Sequence, residues 1–135
     1  MTADEVIAAA RAELGTPFMH QGRLPGIALD CAGLAVVVAR HWYDVTEPAA
    51  YSRGPSNGQL EYWIEHQDFI ERVTSAPVAG NLLLMRFGNE PQHIAFCAGD
   101  TMIHSYSNVG KVTEHRFSDV WQARVVRVYR FKDLS

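Results

Sequence analysis

A chain of 135 residues is the length of one domain, long enough for a real core and too short for two, so a single domain over 1–135 is expected. Its 47% hydrophobic and 20% charged residues exclude a disordered chain. A net charge of −3 without any basic cluster argues against nucleic acid as a partner, and the longest apolar run, AGLAVVVA at 32–39, is far below the roughly 20 residues that cross a bilayer, so no membrane insertion is expected.

Taken in chain order, the first element is a helix over 3–14. Thr2 and Glu5 make a capping-box pattern, Val6, Ile7, Ala10 and Leu14 recur at helical spacing, and Gly15 stops the run. The first charges, Asp4 and Glu5, are the opposite of a secretory n-region, so a protein acting outside the cytoplasm is expected to be carried there by other means. Residues 16–29, TPFMHQGRLPGIAL, hold two prolines and two glycines without a period and predict a loop. A second, mostly buried helix follows from Cys31 to about Tyr43, with Asp30 as N-cap. Pro48, Gly54, Pro55 and Gly58 mark a long connection, in which Ser56 and Gln59 form another capping-box pattern and Leu60, Trp63 and Ile64 give a short helix one apolar side.

After residue 68 the runs become short and β-branched or aromatic. FIERV, NLLLMRF, HIAFCA, TMIHSYS, KVTEHRF and RVVRVYRF are strand candidates, and the connections NEPQ, GD and NVG are short enough for antiparallel hairpins. Helices followed by strands predict an α+β fold in which the N-terminal helices pack on an antiparallel sheet built as a meander by the C-terminal half.

Cys31 carries the first chemical question. A thiol in the first turn of a helix meets unpaired backbone amides and the positive end of the dipole, which favour the reactive thiolate, and Gly33 lets a backbone or a substrate approach that turn. Taken alone, a cysteine beside AGLAVVVA is about twice as often an inert core residue as a nucleophile, and a bridge to Cys97 would remove it from chemistry. Two histidines change the balance, because a nucleophilic cysteine needs a base and the base an orienting partner. His93 and His104 lie on strands joined by a short turn, where antiparallel pairing brings the two imidazoles together. His41, His66 and His115 read as structural, and Arg23, Arg40 and Arg53 as solvated charge. No short pair of Cys or His at ligand spacing occurs, so neither a metal nor a cofactor is expected.

The segments LGTPFMHQGRLPGIALDCAGLAV, GNLLLMRF, QHIAFCAGDTMIHSYSNVGKVTEHRF and WQARVVRVYRF together resemble the NlpC-type cell-wall cysteine peptidases of the papain-like superfamily. The resemblance is closest to the branch associated with bacteriophage tails, through HQGR before the cysteine and IHSYSNVGKV after the histidine strand. It implies a compact papain-like fold, Cys31 as nucleophile, His93 as general base and His104 as the third polar residue. It also implies hydrolysis of stem-peptide amides of D-glutamyl-diaminopimelate type, action on the periplasmic wall from a virion tail made in the host cytoplasm, and other tail-tip proteins as partners. The alternative is a structural tail-tip protein that keeps the fold with little or no activity.

Two departures from the family pattern stand out. Many relatives carry a tyrosine in G-T-x-Y where this chain has Phe18, so an oxyanion donor is missing unless the Cys31 backbone N–H or His20 supplies it; losing one such donor lowers a rate by about 10²–10³-fold. Phe18, His20 and Asp30 are accordingly the candidate oxyanion and substrate-binding residues. At 79–81, AGN replaces the usual P-G-D and is expected to alter only a turn.

Overall fold

The computed structural model describes residues 1–51 and 58–135. Helix α1 (Ala3–Arg11) begins at the anticipated box: the Thr2 hydroxyl accepts the Glu5 N–H, and the Glu5 carboxylate accepts the Thr2 N–H. It ends one turn earlier than the periodicity suggests, and Leu14, beyond its end, is 44% exposed.

Residues 16–29 are not wholly loop. Two short strands, β1 (Arg23–Leu24) and β2 (Ala28–Leu29), pair around a turn at Gly26, whose φ of +74° suits glycine. Two-residue strands are too brief to show a period. The segment before them runs beside the C-terminal sheet, where Phe18 donates its N–H to the Gly110 carbonyl (2.9 Å) and bridges to Leu29.

Helix α2 (Cys31–Ala39) is apolar on every side, and all eight residues after Cys31 are buried. A helix of that composition is stable only when wrapped by other elements, and here α1, the β1–β2 hairpin and the sheet surround it. It stops at Ala39, and turn geometry carries the chain on to Trp42. Helix α3 (Gln59–Glu65) buries Leu60, Trp63 and Ile64 as its pattern requires, while the proposed cap Ser56 lies outside the described residues and Gly58 occupies the N-cap position.

Six strands form the main sheet: β3 (Ile70–Val73), β4 (Leu82–Phe87), β5 (Glu90–Cys97), β6 (Thr101–Tyr106), β7 (Lys111–Arg116) and β8 (Val125–Phe131). All neighbours are antiparallel, in the order β3-β8-β4-β5-β6-β7. The sheet is therefore a meander only from β4 to β7. The last strand enters between β3 and β4 instead of adding at an edge, and its side chains explain why. Tyr129 and Phe131 join the large core with the helices, while Val128 joins a smaller cluster with Leu83, Met85 and Cys97. A strand apolar on both faces belongs inside a sheet, and the short, charged IERV and KVTEHR suit the edges. A further short helix, α4 (Asp119–Gln122), carries no periodic signal and sets Trp121 against the smaller cluster.

The β4–β5 connection is tighter than NEPQ implied, since Glu90 and Pro91 already pair with β4. Pro91 is accommodated beside a register shift at Met85/Arg86, where a missing N–H costs no regular ladder bond. At 79–81 the buried Asn81 accepts the Val78 N–H (2.9 Å) through its side chain and closes the turn. Among the described residues no helix is long and apolar enough to cross a membrane.

Candidate active site

Cys31 opens α2 because Asp30 caps it, the Asp30 Oδ1 accepting the Gly33 N–H at 2.8 Å. The helix start is pinned to the sheet just ahead of that cap. The Leu29 carbonyl accepts the Ser105 hydroxyl of β6 at 2.6 Å, and the Ser105 side chain is buried. Gly33 has the close approach that its sequence suggested: a Cβ there would lie 2.1 Å from the Gly22 carbonyl oxygen, so the HQGR segment packs directly on the first turn.

Asp30 ties this corner together. Its Oδ1 also accepts Arg23 Nη1 (2.8 Å); its Oδ2 accepts the Gln21 N–H (2.8 Å) and the Tyr51 hydroxyl. Arg23 further donates to the Gly22 carbonyl (2.8 Å) and to the Tyr51 oxygen (2.8 Å). Its side chain is only 13% exposed, so it is not the solvated charge expected from sequence, and a charge removed from water requires such a set of partners. Both Asp30 oxygens are occupied by groups of the chain itself, so in this structure it serves the framework of the site.

Cys31 and His93 line one cavity of about 90 Å³, with Phe18, His20, Tyr51 and Gln92 also in its wall. His20 Nε2 lies 2.9 Å from the Tyr51 carbonyl, and its ring edge meets the Tyr51 ring. A larger hollow of about 800 Å³ lies between residues 43–51 and α3 and shares Tyr51 with the first, but neither Cys31 nor His93 faces it.

Both cysteines are free thiols, Cys31 half-buried against the large core and Cys97 buried in the smaller cluster, so the bridge considered from sequence does not form. The amides of Ile94 and Ala32 reach the Cys31 sulfur and favour its charged form, as a helix start should. They are outweighed. Burial first, and then the Asp30 charge, push the thiol up to about 12. Burial, with Arg124 adding to it, pulls His93 down to about 3. Both directions favour a neutral thiol and a neutral imidazole at rest, against the activated thiolate that the helix position alone predicts.

The two histidines do come together. His93 Nε2 lies 2.7 Å from His104 Nδ1, both side chains are buried, and burial pulls His104 down to about 2. The contact continues to a ring that the sequence had left as merely structural: His104 Nε2 lies 2.8 Å from His115 Nε2 on β7. Sequence also missed Tyr51, which sits in an irregular stretch without a period to announce its burial. His41 and His66 remain exposed, Arg40 is an exposed partner of Glu47, and Arg53 lies outside the described residues. Among the described residues no group of three His, Cys, Asp or Glu side chains is arranged to hold a metal ion.

Known structures share this fold. An NlpC/P60 family protein from Bacillus cereus superposes with a TM-score of 0.72 at 19% identity, covering 97% of this chain and 40% of that one. The NlpC/p60 domain of the peptidoglycan hydrolase SagA gives a TM-score of 0.64 at 21% identity, covering 96% of this chain and 98% of that one. The peptidoglycan hydrolase RipB from Mycobacterium tuberculosis gives 0.61 at 18% identity, covering 95% and 63%. The chain therefore spans less than half of the Bacillus protein and nearly all of the SagA domain. Among curated protein sequences none matches it. At such identities these structures speak for the papain-like α+β fold alone, whereas the family model described as NlpC/P60 family matches residues 15–130, and the chain belongs to that family.

Proposed function

We propose that this domain is a peptidoglycan endopeptidase that hydrolyses stem-peptide amide bonds with Cys31 as nucleophile, His93 as general base and His104 as the residue that orients the base. The observation that carries the reading is the meeting, in one small cavity, of a helix-start thiol and an imidazole whose far nitrogen is held by a second imidazole. Family membership supports the substrate class.

His93 takes the thiol proton as Cys31 attacks the amide carbonyl, and returns it to the departing amine; water then releases the acyl enzyme by the same route. A raised thiol and a lowered imidazole favour proton transfer that accompanies attack over transfer that precedes it. D-glutamyl-diaminopimelate is the bond proposed, and the HQGR and IHSYSNVGKV segments support a place on a phage tail, with tail-tip proteins as partners and the periplasmic wall as target. The second reading is a tail-tip protein that keeps the fold without the activity, and the raised Cys31 thiol is the observation in its favour.

Purified peptidoglycan decides between them. The chain is expected to release new amino groups, and Cys31→Ala and His93→Ala to release none; equal release by the Cys31 variant would end the hydrolase reading.

A further inference from the structure

We infer that His115 is a positioning residue, the outer member of a three-imidazole array whose hydrogen bonds set the proton on His93. The inference rests on the proposed role of His93 as base and adds what decides which of its nitrogens is free. The array runs from the sheet edge inward, with His115 on β7, His104 on β6 and His93 on β5. Its outer end is anchored by a backbone carbonyl, since His115 Nδ1 lies 2.9 Å from the oxygen of Arg116.

A carbonyl oxygen only accepts, so His115 Nδ1 carries hydrogen. In a neutral imidazole the other nitrogen then has only a lone pair, and the remaining assignments follow by alternation. His115 Nε2 accepts from His104 Nε2–H across 2.8 Å, and His104 Nδ1 in turn accepts from His93 Nε2–H across 2.7 Å. His93 Nδ1 is left bare, as a general base requires, and it has no hydrogen-bond partner among the described residues. One carbonyl on β7 thereby fixes the state of a base two strands away.

A proton added to His115 reverses every bond. His115 Nε2–H then donates to His104 Nε2, His104 Nδ1–H donates to His93 Nε2, and His93 Nδ1 carries hydrogen, so the base is lost. Read in the other direction, a proton taken from the Cys31 thiol by His93 Nδ1 displaces the Nε2 proton to His104 Nδ1. The His104 Nε2 proton passes to His115 Nε2. The protons balance, and the positive charge comes to rest on the half-buried outer ring instead of in the interior.

The groups facing the array fit this direction of charge. The Arg124 guanidinium, stacked over the Trp121 and Phe87 rings, disfavours a cation on His93. Trp121 of α4 also packs on His104 and His115, and the Tyr106 ring stacks on His104. Glu114, beside His115 on β7, is engaged by Arg11 and Thr101, and the Arg116 residue is exposed.

Long-range ¹H–¹⁵N correlation spectra of the histidine-labelled chain above pH 7 test the array directly. Protonated Nδ1 on His115 with protonated Nε2 on His104 and His93 is expected; a proton on His93 Nδ1 overturns the inference. His115→Gln gives the kinetic arm, because the amide oxygen still accepts from His104 but the side chain takes up no proton. The acid limb of its kcat/KM profile is expected to move down by about one pH unit or more, a shift that loss of a merely structural ring would not produce, whereas an unmoved limb overturns the proton path. Expected tautomers in a chain that hydrolyses nothing would sink the proposed function and leave the array standing; hydrolysis with the opposite tautomer would do the reverse.

Discussion

At the scale of single residues, Asp30, Arg23 and Tyr51 show how a buried charge becomes part of a framework. The Asp30 carboxylate meets four donors, two of them backbone amides and two of them side chains from distant turns of the chain. The Tyr51 hydroxyl lies between carboxylate and guanidinium, so Tyr51→Phe leaves both charges one partner short. A loss of about 1.5–3 kcal/mol is expected from urea unfolding, the range for hydrogen bonds to charged groups. The Arg23 and Tyr51 contacts were not legible in the sequence, because Arg23 has the look of any surface arginine and its partners come from residues 22 to 51. The Asp30 cap, by contrast, was legible, since a cap is a local event within three residues of its target.

Elements come next, and the turn where α2 meets the HQGR segment is the most constrained of them. The Gly22 carbonyl occupies the place a side chain at residue 33 would need, and neither partner is a flexible side-chain end that can swing aside. Gly33→Ala is therefore expected to destabilise by about 1–3 kcal/mol and to displace Cys31, measurable as a lowered urea midpoint together with a changed rate of thiol labelling. The local apolar pattern made α1, α2, α3 and most strands readable, periodic in α1 and α3 and unbroken in α2, because each element reports its own burial. It did not reveal the β1–β2 hairpin, which is two residues a side, or the insertion of β8, which is a matter of long-range pairing. His115 was misjudged for the same reason: only the β6–β7 register, which pairs Met102 with His115 and His104 with Thr113, brings it within reach of His104.

For the whole molecule, the sheet with cores on both faces has a consequence for acid stability. His93 and His104 titrate near 6.5 when the chain is unfolded but are held at about 3 and about 2 when folded. Between those limits the unfolded chain binds more protons, so stability is full above about pH 6.5 and is lost as pH falls. The urea midpoint is expected to drop steadily from pH 7 to pH 4, and His104→Asn, with no proton to bind there in either state, is expected to flatten that slope. An equal slope in the variant would place the acid sensitivity elsewhere. The division into two cores was not visible in sequence, since a strand such as NLLLMRF feeds both and only the topology separates them.

The separation of the two thiols reaches beyond hydrolysis. Cys97 is 1% exposed beneath the sheet, while Cys31 stands at the wall of the cavity, each in its own apolar cluster. An oxidant that reaches Cys31 finds no second thiol near enough to trap the product as a reversible bridge, so oxidation there climbs toward sulfinic acid, although the neutral thiol slows its first step. Where Cys31 is the nucleophile proposed above, such oxidation removes the activity while leaving the architecture intact.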